Sequence, residues 1–100
     1  MKYIKVDWIH NYPTEPILLF SELDDLNWEL RKVYVFSSGN MEYADKNVAT
    51  GSTDLSLGPI PPLAEIGLDP QFKPHEITKE EFEEVWSQAI KLNQSGSTGQ

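Results

Sequence analysis

One hundred residues carry sixteen Asp and Glu against eight Lys and Arg, a net charge of −8, and no cysteine. That length holds one domain and not two independent cores, and that charge opposes the phosphate neutralisation on which nucleic-acid binding rests. Without cysteine there is no disulfide framework, no thiol catalysis and no Cys-ligated metal.

The N-terminal stretch "MKYIKVDWIH" is interrupted at Lys5, Asp7 and His10, so it lacks the apolar centre of a signal peptide. The run "ILLF" falls far short of the roughly 20 apolar residues that a membrane span needs. A soluble, cytoplasmic protein with no membrane partner is expected. Within "KYIKVDWIH", Ile4, Val6 and Trp8 share one parity and Lys5 and Asp7 the other, which predicts a strand. "NYPTEP" is a loop, because its prolines lack N–H donors and fix φ. "ILLFSEL" is apolar on both parities from Ile17 to Phe20, as a central strand covered on both faces would be. In "WELRKVYVF" the parity changes between Leu30 and Val33, which predicts a bulge at Arg31–Lys32 or partial burial of both faces. "SSGN" supplies a turn at Gly39 and leads into a short strand, "MEYA".

Residues 45–59 are polar and Gly-rich and read as a mobile loop; neither GxGxxG nor GxxxxGK occurs, so no phosphate-cradling loop is indicated. In the proline-rich stretch that follows, Pro61 and Pro62 can open a short helical turn through Ile66 that stops at Gly67. Pro70 and Pro74 keep the next residues extended or turned. "ITKEEFEEVWSQAIKLN" is the one strong helix pattern. Thr78 with Glu81 fits a capping box, and Phe82, Val85, Trp86, Ala89 and Ile90 form an apolar stripe. Its glutamates read as a solvated acidic face. "QSGSTGQ" has linker composition.

The acids of "SELDDLNWE" lie between two strand patterns, where Asp and Asn serve a β-hairpin turn. An EF-hand spacing is absent, and no metal or cofactor is assigned. His10 and His75 are the only histidines and are read as structural or surface residues. The sharpest catalytic alternative pairs His10 with Asp7, Glu22 or Glu29 on adjoining strands. Glu22, Asp24 and Asp25, at or beside the hairpin tip, are the candidate partner contacts. Trp28 is read as core, with a partner contact as its other role.

The segments "KYIKVDWIH", "SELDD", "WELRKVYVF", "PIPPLAEI" and "EITKEEFEEVW" resemble a small bacterial domain family of unknown function, from Met1 to about Ile90. The resemblance implies that the Trp-Ile-His, Ser-Glu-Leu-Asp and Trp-Glu-x-Arg-Lys segments belong to one recurring architecture. It carries no reaction or catalytic residue.

Together these patterns predict an α+β fold: an antiparallel meander of about four strands with the helix from Thr78 to Asn93 on one face. Residues 1–93 form a single domain, and residues 94–100 a disordered tail or linker remnant. The second sheet face is expected to be covered by Ile60 to Phe72, or else by self-association. Trp8, Leu19, Leu30, Phe82, Trp86 and Ile90 are the expected core between sheet and helix. The functional expectation is a non-enzymatic module of inhibitor or immunity type that binds a basic protein, for example a bacterial toxin. The alternatives are a small hydrolase or metal-dependent enzyme built on His10, and a structural or regulatory homodimer.

Overall fold

Period-two patterning builds most of the sheet. A computed structural model describes residues 1–51 and 53–98. It has strands β1 (Lys2–Trp8), β2 (Leu18–Leu23), β3 (Glu29–Val35) and β4 (Met41–Ala44). A short helix α1 (Leu63–Ile66), a fifth strand β5 (Phe72–Ile77) and the long helix α2 (Lys79–Thr98) complete it. All pairings are antiparallel and the strand order is β4-β3-β2-β1-β5. The meander is as expected, with one strand added: the chain returns after α1 to pair β5 with the free side of β1. Pro74 lies in β5 opposite Val6, a position that an edge strand tolerates because its missing N–H costs no second ladder.

The register sorts the side chains into two faces. Lys5, Phe20, Val33 and Tyr43 align across four strands, as do Asp7, Leu18, Val35 and Met41. This face takes α2: Val33, Met41 and Ala89 form a buried cluster with Phe20, Val35, Tyr43, Val85 and Trp86 against it. Phe82, fully buried, packs its ring 5.6 Å from that of Tyr3. The capping box is formed: the Glu81 N–H donates to Thr78 Oγ1 at 3.1 Å, and the Thr78 N–H to Glu81 Oε1 at 3.0 Å. Near the other end, Asn93 Nδ2 donates to the Met41 carbonyl at 3.1 Å and fastens α2 to β4. The helical backbone continues through residues 94–98, where composition predicts a tail. Each residue added to an existing helix gains a bond that a new helix would lack. Residues 99 and 100 lie outside the described residues.

The opposite face buries Ile4, Val6 and Leu23, with Leu19, Ile60, Leu63, Ile66 and Phe72 packed against them. The proline-rich segment is therefore the second cover, as expected, and the exposed sheet face on which a homodimer would be built is occupied by the chain itself. This arrangement corrects the expected core. Trp8 and Leu19 sit on this second face, opposite the one that takes α2, and Trp8 meets Phe72 at 5.8 Å between rings. Leu30 is the extra residue of a bulge, because Glu22 pairs with Arg31 while its neighbour Leu23 pairs with Glu29. The phase reset falls at Leu30, ahead of the Arg31–Lys32 position that parity suggested. Ile90 is half-buried, and Ala89 takes the place expected of it in the central cluster.

The described residues from Asp45 to Thr53 are more tethered than a mobile loop. Ala44 bridges to Ala49, Asp45 Oδ1 accepts from the N–H groups of Asn47 and Val48 at 2.8 Å, and Thr53 is buried with its hydroxyl on Tyr43 O and Thr50 O.

Candidate binding site

The β2–β3 turn is cross-linked by hydrogen bonds and carries an apolar and acidic tip. Asp24 Oδ1 accepts from the Leu26 N–H at 2.8 Å and the Trp28 N–H at 2.9 Å, while the Asp24 N–H donates to Trp28 O at 3.0 Å. Asn27 takes a left-handed conformation, φ 67°, which its short side chain tolerates better than most. It is held from outside the turn as well, since Asn27 Nδ2 donates to Ile60 O at 3.1 Å and the Ile60 N–H to Asn27 O at 2.8 Å. What remains for solvent is the Asp25 carboxylate, 98% exposed, with Leu26 at 74% and Trp28 at 42%.

This geometry divides the four partner candidates. Asp25 and Trp28 stand at the surface; Asp24 is committed to its own turn. The reading of Trp28 as core is corrected, for it lies outside both buried clusters. Glu22 is the larger correction, because it is buried on the α2 face and unavailable to a partner. Its Oε1 accepts from Arg31 Nε at 2.7 Å and its Oε2 from Arg31 Nη2 at 3.0 Å. Arg31 also donates to Glu83 of α2, Nη1 to Oε1 at 3.0 Å and Nη2 to Oε2 at 2.7 Å. The guanidinium lies 4.9 Å from the Phe82 ring centre and 5.0 Å from that of Trp86. It is a strut between sheet and helix, and it lowers the pKa of both Glu22 and Glu83. Burial, and then its hydrogen bond to Glu22, raises that of Tyr3. One glutamate of the supposedly solvated helix face thus holds the helix down, while Glu80, Glu81 and Glu84 are exposed.

Glu29 faces the other way. Residues three apart on a regular strand point to opposite faces, but the bulge at Leu30 puts Glu29 and Lys32 on one. Glu29 Oε2 accepts from Ser21 Oγ at 2.6 Å, and its Oε1 lies 3.1 Å from Lys32 Nζ and 2.9 Å from the Ser56 N–H. Lys32 Nζ in turn donates to the Tyr34 hydroxyl at 3.3 Å. Ser21, Glu29 and Lys32 are all buried. They form the polar floor of a concavity of about 440 Å³ between the sheet and its proline-rich cover. Sequence reading missed Ser21, Lys32 and Tyr34; Ser21 alone carried a signal, a hydroxyl between Leu19 and Leu23 on an inward parity.

A family model matches residues 2–91, which take in β1 to β5, α1 and α2 as far as Lys91. The chain belongs to the family described as Domain of unknown function (DUF6881). No curated protein and no solved structure matches it.

Within this DUF6881 domain the structure keeps the catalytic candidates apart. His10 lies beyond the end of β1 opposite to Tyr3, the residue that pairs with Glu22, and Glu29 is on the face away from Glu22. The His10 ring is used locally: Nε2 lies 2.8 Å from Pro16 O, and Nδ1 accepts from the Tyr12 N–H at 2.9 Å. It stacks on Tyr12 at 5.2 Å and meets the Trp8 ring edge-on at 4.4 Å. Those contacts make it a staple for the loop after β1. Asp7 is drawn to the other histidine, His75 Nε2, at 3.3 Å across the β1–β5 ladder. Among the described residues no three His, Asp or Glu side chains converge as a metal-holding group, and no helix is long and apolar enough to cross a membrane.

Proposed function

We propose that this domain is a non-enzymatic, cytoplasmic protein-binding module of a bacterial cell, of the inhibitor or immunity type, whose partner is a basic protein. The observation that carries the reading is the hairpin tip. Asp24 and Asn27 fix the turn by hydrogen bonds, and Asp25, Leu26 and Trp28 are left presented on it. A pre-ordered loop loses little freedom on binding, and Trp is among the residues that most often anchor interfaces.

The charge distribution gives the partner its sign. Of sixteen acids and eight bases, three acids and two bases are joined in the pairs of Arg31 and Lys32; thirteen acids and six bases remain outside them. A surface so unbalanced speeds encounter with a basic protein more than it tightens the complex. The absence of cysteine suits a reducing compartment.

The test is capture from a lysate of the source organism with immobilised wild type and a Leu26→Ser/Trp28→Ala variant, followed by mass spectrometry. The expected result is a protein of net positive charge retained by wild type and lost by the variant. Identical retained proteins on both columns would contradict the reading.

A further inference from the structure

The concavity beneath the proline-rich cover is lined by none of the exposed residues of the hairpin tip and has a chemistry of its own. Its wall is apolar, made by Ile4, Val6 and Leu19 of the sheet with Ile60, Ile66 and Phe72 of the cover. At its floor sit Lys32 and Tyr34, and at its mouth the exposed carboxylates of Glu65 and Asp69. Glu29 neutralises Lys32 at 3.1 Å, so the floor offers hydrogen bonds and no net charge. An ammonium has three donors, of which Glu29 and the Tyr34 hydroxyl take two. The net charge around the space comes from the mouth and is negative.

Size narrows the occupant. An apolar cavity of about 150 Å³ already holds a benzene ring, and about 440 Å³ is within the range of small-molecule sites. The geometry points to a binding site for a small organic cation: a two-ring apolar body against Ile4, Ile66 and Phe72, with an ammonium at Glu65 and Asp69. A buried Glu29–Lys32 pair is costly to desolvate, and here it is held by Ser21 and Ser56 and keeps a polar floor under an otherwise apolar space. An anionic ligand would meet both mouth carboxylates and is disfavoured.

The experiment uses three indole probes of one shape: tryptamine as the cation, tryptophol as the neutral isostere and indole-3-acetate as the anion. Each is titrated into the ¹⁵N-labelled full chain and followed by amide chemical shifts. Tryptamine is expected to give saturable shifts at Ser21, Lys32 and Ile66 and to bind about fivefold tighter than tryptophol, the upper scale of an exposed ion pair. The anion is expected to bind weakest. In Glu65→Gln/Asp69→Asn the preference for the cation disappears while tryptophol binding stays; Asn retains the oxygen that accepts from the Gln71 N–H at 2.9 Å. In Ile66→Trp, which fills the space, all three probes lose affinity. Shifts that do not saturate, that fall outside the concavity or that rank the anion first would overturn the assignment. So would a cation preference unchanged by the mouth variant.

Discussion

Glu22 and Asp25 stand three positions apart and have opposite fates. Glu22 points inward on the face that Tyr3 and Arg31 share, and Asp25 points out from the turn. Both were visible as acids in one short run; their separation depends on a cross-strand pairing with Arg31, and register is not written in a run of acids. The pairing has a pH signature. Arg31 holds the pKa of Glu22 and Glu83 below the ordinary 4.5. Their contribution to stability is therefore complete above about pH 4.5 and is lost as pH falls through the lower folded values. Glu83 is 40% exposed and contributes less than Glu22, because water screens it. Denaturant unfolding across that acid range is expected to show stability falling in wild type, with a shallower fall in Glu22→Gln from a lower starting value. Parallel pH profiles for the two proteins would remove Glu22 from the account.

Elements were more legible than their arrangement. The capping box, the α2 stripe, the turn around Asn27 and the helical turn ending at Gly67 all follow from local chemistry, and all are present. Trp8 marks the boundary of that kind of inference. Its parity with Ile4 and Val6 was correct, but a period of two says which residues share a face and not which layer covers it. Glu29 and Lys32 were hidden for a related reason: one extra residue at Leu30 inverts every face assignment before it. β5 was hidden by Pro74, which argues against a strand unless that strand lies at an edge. The α2 contact makes a direct prediction. Trp86 stacks over Phe82 at 6.2 Å, meets Tyr43 edge-on at 5.2 Å and lies against Arg31. Trp86→Ala is expected to cost about 3 kcal/mol, read from the denaturation midpoint at constant slope. An unchanged midpoint would mean that α2 does not hold the sheet through this residue.

At the scale of the whole molecule, two covered sheet faces leave the acidic exterior and the hairpin tip as the features that the proposed partner would meet. The pairs of Arg31 and Lys32 take up three of the sixteen acids, and the thirteen acids outside them outnumber the six remaining Lys and Arg, so the net negative charge can act over distance. Such action is screened by salt, because the screening length falls from about 30 Å at 0.01 M to about 3 Å at 1 M. The most direct test of a steering tip is therefore the association rate with the captured basic protein, by stopped flow, for wild type and Asp25→Lys at both salt concentrations. The Asp25 side chain is almost wholly exposed, so the reversal leaves the fold intact. Asp25→Lys is expected to associate several-fold more slowly at low salt, with the two rates converging at high salt. Equal rates at low salt would contradict it and leave the tip as a turn between two strands.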